Sequence, residues 1–429
     1  MSLLVSALPS PTAGDRPHLA IAIEAARFIQ ASAVATPNGM TWPANPADRG
    51  SVATNLYSGS AGVVLFFVEL HRATGDPAHL AAATAGADEL LASIDRQTEA
   101  GLYSGLAGIG FVLSEVGRHT AIAKYREGAR RVVALLQQRA VERGAGVEWN
   151  DTIDVISGSA GIGLFLLYAA DALDSPEART LAARAGRRLL ERGRDEAGGR
   201  KWPVDGTSAQ LLPNFSHGTA GVAYFLATLY QATKERAFLD GALAGAAYLK
   251  AIAQTDGDVC LIYHHEPDEA GRRLYYLGWC HGPAGTARLW YRLWQATGDR
   301  AWLEWASKSA RGIVASGIPE HQTPGFWNNV GACCGSAGVA EFFLAHHRAT
   351  GDAASLAFAR RVSAQILASA ARDASGIRWP HAEHRARPTE IVAQTGWMQG
   401  AAGIGAWFLH LDAFDRGAGP PIPFPDSPF

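Results

Sequence analysis

The chain has 429 residues, a formal charge of −2 and a pI near 6.7, so no broad basic surface marks it for nucleic acid or anionic lipid. Apolar residues make up 48% and charged residues 18%, a balance that suits a large buried core. No apolar run reaches the roughly 18 residues of a membrane span, and four cysteines are too few for a secreted disulfide framework, so a cytoplasmic protein without a transmembrane segment is expected.

In chain order, residues 1–15 lack the basic start and long apolar stretch of a signal peptide and read as an N-terminal tail. A Gly-x-Ala-Gly unit followed by an apolar run then recurs seven times, beginning at Gly59, Gly105, Gly158, Gly218, Gly282, Gly335 and Gly400. Intervals run from 46 residues (59 to 105) to 65 (335 to 400), the length of a helical hairpin with its loops. The runs Val63–Leu70, Ile162–Ala170 and Val222–Leu229 are too long and too apolar for strands, and predict helices buried on most sides. Ala-Thr-Gly-Asp follows at Ala73–Asp76, Ala296–Asp299 and Ala349–Asp352, with Ala232–Glu235 a degenerate copy. There Gly suits a left-handed position ending one helix, and Asp suits the N-cap of the next. The segments beyond, such as 301–313 and 353–371, are amphipathic and carry the Arg and Lys residues.

The predicted fold class is therefore all-α: a closed α/α toroid with buried helices inside and amphipathic helices outside. An open solenoid would cap its ends with polar repeats, whereas the first and last copies are as apolar as the rest. Residues 1–429 are expected to form one domain, with the Pro-rich segment 416–429 an extended tail outside the repeats. Free N–H groups and positive helix ends would converge on one mouth, so chemistry is expected just before each glycine.

These positions differ between copies. The fifth reads Trp279-Cys280-His281-Gly282, the sixth Cys333-Cys334-Gly335, the fourth Ser216-His217-Gly218 and the third Asp154-Val155-Ile156-Ser157-Gly158. Three of the four cysteines, Cys280, Cys333 and Cys334, are thus placed in one slot of adjacent repeats. Three thiolates with an open fourth position suit a Zn²⁺ ion of the catalytic type; inert buried thiols, or a strained Cys333–Cys334 disulfide, are the competing readings. His217 is a candidate general acid or base, or a local backbone partner. Asp154 would orient His217 or move a proton, or else cap a helix. His281 is a candidate fourth ligand, proton donor or ligand support. Cys260 reads as core. His264, His265, His381 and His384 read as polar loop residues, and Trp149, Trp202, Trp279, Trp327, Trp379 and Trp397 as either cleft walls or core anchors.

The seven glycine repeats, the Trp279-Cys280-His281-Gly282 motif and Cys333-Cys334-Gly335 resemble the lanthionine synthetase C-like (LanC-like) family over nearly the whole chain. That resemblance implies seven inner and seven outer helices, zinc held by the motif cysteines, and addition of peptide cysteine thiols to dehydroalanine or dehydrobutyrine to give lanthionine or methyllanthionine rings. It implies a dehydrated precursor peptide as substrate and separate dehydratase or kinase/lyase enzymes as partners. Catalytic roles for His217 and Asp154 follow from it. The family's usual Cys-His-Gly is Cys333-Cys334-Gly335 here, and an Arg common four residues before the motif cysteine is Tyr276, with Arg272 or Arg273 as possible substitutes. Addition of glutathione to dehydroamino acids in damaged proteins, or non-catalytic peptide binding, would use the same scaffold. A carbohydrate enzyme would instead need paired carboxylates, for which Asp154 with Glu148 or Asp151 are the candidates.

Overall fold

The computed structural model describes residues 16–429 apart from 197, 206–210, 268–272 and 420; the expected N-terminal tail and Arg272 lie outside the described residues. Fourteen α-helices run from α1 (Pro17–Ala31) to α14 (Ala401–Asp415), joined by loops and short two-stranded ribbons. Seven begin at the repeated glycines: α2 (Ser60–Thr74), α4 (Leu106–Thr120), α6 (Ser159–Ala172), α8 (Thr219–Thr233), α10 (Pro283–Thr297), α12 (Ser336–Thr350) and α14. Each of these packs on the next, and α14 packs back on α2, which closes a ring. The all-α toroid expected from the repeats is the fold.

Helix ends follow the local chemistry. Gly75, Gly298 and Gly351 end α2, α10 and α12 in the left-handed region, with φ of 72°, 75° and 76°. Asp76 then accepts from the Ala78 N–H at 2.8 Å and starts α3 (Pro77–Ser93), and Asp352 starts α13 (Ala353–Ala368) by accepting from Ala354 and Ser355. The remaining outer helices are α5 (Ala123–Arg139), α7 (Pro176–Arg192), α9 (Arg236–Ile252) and α11 (Ala301–Ala315). Inner helices are apolar nearly all round: on α2 every residue from Ser60 to Leu70 is buried, and each such Val, Leu or Phe contributes about 1.5–3 kcal/mol.

Two features go beyond the repeat pattern. The seventh inner helix has no outer helix after it; its outer partner is α1, from the start of the described chain. Pairing the first helix with the last buries both ends of the array, so neither needs a polar cap. The Pro-rich segment is extended as expected, but it enters the toroid at the C-terminal ends of the inner helices. Phe424 packs against Phe111 and Trp397, with ring centroids 5.3 and 5.0 Å away. Asp426, fully buried, meets the Tyr103 hydroxyl at 3.1 Å and Arg288 at 3.2 Å.

At the opposite mouth, the loops before the glycines are tied into a closed girdle. Backbone N–H groups of Tyr57, Tyr103, Val155, Ser216, Cys280, Cys333 and Met398 each donate to a carbonyl of the next loop, at 2.8 to 3.1 Å, and Met398 returns to Tyr57. The second glycine of each unit makes room for this layer: a Cβ on Gly285 would overlap the carbonyl oxygen of Trp279.

Candidate metal centre

The girdle places the side chains. Its donors lie two residues before each glycine, Cys280 and Cys333 among them, except Val155, which lies three before Gly158. The position one residue before the glycine holds His217, His281, Cys334 and Gln399. The three thiols therefore occupy two slots, not one: Cys334 stands where the fourth and fifth repeats carry histidine. They converge nonetheless, because consecutive residues before α12 reach back toward the loop of α10. Their sulfurs all lie within 4.8 Å of one another, Cys280 to Cys334 at 3.4 Å and Cys334 to Cys333 at 3.5 Å.

These distances exclude a disulfide, whose sulfurs are about 2.05 Å apart. They approach the roughly 3.8 Å edge of a tetrahedron with about 2.3 Å Zn–S bonds, so the trio fits a zinc ion. Contacts with Cys280 and then Cys333 hold the Cys334 thiol well below its ordinary range, while burial and contacts with the other two hold Cys333 well above. Two buried thiols and a half-buried one crowded together are what a cation would complete. Gln399 supports it, donating from Nε2 toward Cys334 at 3.6 Å and to the Tyr57 hydroxyl at 3.0 Å, with its Oε1 fixed by Asn329.

A cavity of about 590 Å³ opens over the thiols. His217 lies on its wall with Nδ1 2.5 Å from Asp154 Oδ2, which leaves Nε2 as the free ring nitrogen. Asp154 is buried, and its other oxygen accepts from the N–H groups of Ser157 at 2.7 Å and Gly158 at 2.8 Å. Asp154 thus braces the turn before α6 with one oxygen and meets the His217 ring with the other; α6 itself has no side-chain cap. His281 stacks on His217 at 5.4 Å and meets His264 edge-on at 4.4 Å; it is not among the clustered ligand atoms. Burial, then the neighbouring imidazoles, pushes the His281 pKa well down, so its ring is neutral and its enclosed Nδ1 lacks a partner.

Several residues read as bland from sequence belong to this cavity. His264 packs on Tyr276 at 4.1 Å and is pushed down to about 3 by burial and by His265. His384 and Arg385 line the wall from a hairpin tip between the paired strands His381–Ala382 and Ile391–Val392. Nothing local marks that tip; Gln399 and Tyr57 could have been found by aligning their slots. Of the six tryptophans only Trp327 lines this cavity. Trp202 and Trp379 are core anchors bonded to Leu189 and Ile366 carbonyls, Trp149 bonds to Leu136, and Trp279 and Trp397 face the tail. Cys260 is core, its thiol pushed up to about 12 by burial. Arg273 does not line the cavity and is exposed. Glu148 is ion-paired with Arg188 and Arg192, and Asp151 with Arg192, so neither forms a carboxylate pair with Asp154 in the cavity.

The family described as lanthionine synthetase C-like protein matches residues 50–422. Among solved structures, nisin cyclase is similar with a TM-score of 0.62 at 16% identity, covering 85% of this chain and 89% of that one. An α-1,6-mannanase of Salegentibacter sp. is similar with a TM-score of 0.51 at 14% identity, covering 92% and 98%. A glycoside hydrolase family 76 mannosidase from Bacteroides thetaiotaomicron gives 0.52 at 12%, covering 92% and 99%. At such identities these likenesses establish the toroid alone. No curated protein sequence matches the chain.

Proposed function

The chain belongs to the lanthionine synthetase C-like protein family, and we propose that it is a zinc-dependent cyclase that adds peptide cysteine thiols to dehydroalanine or dehydrobutyrine, forming thioether rings. The observation that carries this reading is the convergence of Cys280, Cys333 and Cys334 beside the Asp154–His217 pair, in one cavity. Zinc on these sulfurs would lower the pKa of an incoming thiol and favour its thiolate near neutral pH.

The chain's own groups would do the rest. Asp154 fixes the His217 ring through Nδ1, which leaves Nε2 to take the thiol proton. The sulfur attacks the β-carbon, and His217 or His281 returns a proton to the α-carbon. His281, held neutral by burial, is suited to relay rather than to store a proton. Trp327, Tyr276 and His264 wall the cavity and reduce the access of water to the intermediate. The substrate would be a precursor peptide dehydrated by other enzymes.

The test uses a dehydrated, cysteine-bearing peptide and the zinc content of the purified protein. Cyclisation leaves the mass unchanged, so rings are read as loss of thiols that can be alkylated. About one zinc per chain and disappearance of free thiols are expected. Mass gain from added glutathione, with the internal thiols intact, would instead favour glutathione transfer; full zinc occupancy with neither outcome would favour a non-catalytic scaffold.

A further inference from the structure

Arg385 is an unusual cation. Its hairpin is held rigidly over the cavity: Trp327 Nε1 and Asn329 Nδ2 both donate to the Ala382 carbonyl, and Gln394 holds Glu383 at 2.8 Å. Its guanidinium and the Tyr276 hydroxyl line the same cavity, and its Nε is enclosed without an acceptor. Among the described residues no carboxylate lies within ion-pair distance of it, whereas Arg288 in the toroid interior is paired with Asp426. Leaving such a buried donor unmet costs about 1–3 kcal/mol, unless something entering the cavity accepts from it. Burial holds the Tyr276 pKa up, so the hydroxyl keeps a proton to donate, and its ring meets His281 edge-on at 5.8 Å at the thiol side of the cavity. Arg385 and Tyr276 thus present two donors toward one space beside the cysteines.

We propose that Arg385 and Tyr276 are catalytic residues that form an oxyanion site for the carbonyl oxygen of the dehydroamino acid. The proposal rests on the thiol-addition reading above. In that reaction the thiol loses its proton to His217, and sulfur forms a bond to the β-carbon. The carbon–carbon π pair moves to the α-carbon and onto the carbonyl oxygen, giving an enolate. The proton then returns to the α-carbon, the carbonyl reforms, and the sum is addition of S–H across the double bond with no net redox change. Negative charge peaks on the oxygen between these steps, and donors aimed there stabilise the transition state more than the substrate. Tyr276 fills the position where the family resemblance expects Arg, and Arg385 delivers the guanidinium from the last loop instead.

The experiment has a kinetic and a binding arm. Arg385→Gln is expected to lower kcat for ring formation about 10²-fold with KM changed less than about threefold, and Tyr276→Phe to lower kcat about tenfold. Zinc content and melting temperature should match wild type in both. In the binding arm, wild type should bind the nitronate of a small N-acyl nitroalkane, whose charge sits on oxygen as in an enolate, about tenfold more tightly than the matching neutral amide. Arg385→Gln should lower that preference below about threefold. A preference near one in wild type, an undiminished preference in Arg385→Gln, or a rise in KM with kcat unchanged would each overturn the proposal. If wild type forms no thioether while the nitronate preference depends on Arg385, the cyclase reading fails and the oxyanion site stands.

Discussion

The two mouths of the toroid are built from the same seven helices and have opposite character. At the N-terminal mouth polar groups are left wanting: the three thiols crowd together, and His281 Nδ1, Arg385 Nε, Ser104 Oγ and Ser216 Oγ are enclosed without partners. At the C-terminal mouth the chain's own tail lines the space, beside a cavity of about 410 Å³. The tail brings Phe424 and Asp426 inward, Arg292 donates to the Ser427 carbonyl at 3.0 Å, and Glu69 accepts from the Ile422 N–H at 3.0 Å. Buried polar groups are costly unless satisfied, and Arg292 Nε and Asp426 Oδ1 are enclosed without partners there too, so the ends differ in what lines them: thiols and imidazoles at one, the chain's own tail at the other. Helix polarity fits the division. Seven positive helix ends face the thiols, where negative charge is expected, and the basic side chains Arg292, Arg348 and His410 lie toward the negative ends.

The comparison breaks first at the thiols. Cys280→Ser should abolish stoichiometric zinc and lower ring formation by at least about 10³-fold, while helix content is retained, because the toroid core does not depend on that sulfur. A variant that keeps both zinc and rate would remove the metal centre from the N-terminal mouth. The opposite result is expected from Asp426→Ala. It strips a buried carboxylate from Arg288 and Tyr103 and should cost about 3 kcal/mol in urea unfolding, with zinc content unchanged. Tyr103 also lines the thiol-side cavity, so a lowered rate in this variant would show that the two ends are coupled. A smaller effect, about 10²-fold on rate with stability nearly unchanged, is expected from His217→Gln, since the ring is partly exposed and carries little packing.

How much could be read from sequence depended on whether a residue's neighbours in space were marked by the repeat. Cys280, Cys333, Cys334, His217 and Asp154 sit at fixed offsets from a glycine that must be glycine, so their convergence was legible. Cys334 lies one residue past the slot expected for it, because its partner is a consecutive cysteine and not a residue in register. Arg385 and His384 come from a hairpin inside the longest interval, where no periodic signal operates. The pairing of α1 with α14 and the docking of the tail join segments hundreds of residues apart. Such contacts are set by what the ring leaves uncovered, and no local propensity announces them.

The smallest predicted effect sharpens the comparison by giving the C-terminal mouth its own pH signature. His410 on α14 lies between Glu341 on α12 and Glu69 on α2, bonding Glu69 at 2.8 Å, and Glu69 in turn holds the tail. Burial disfavours the charged ring, but Glu341 and then Glu69 outweigh it and raise the pKa to about 10. A folded value above the unfolded one near 6.5 means stabilisation that is complete below about pH 6.5 and lost as pH rises through about 10. His410→Gln should therefore be less stable than wild type at pH 7, and the gap should narrow as urea unfolding is repeated toward pH 10. Other titrating groups are common to both proteins and cancel in the difference. A gap independent of pH would mean that His410 is neutral in the folded protein, and that the tail is held by packing and backbone bonds without help from charge.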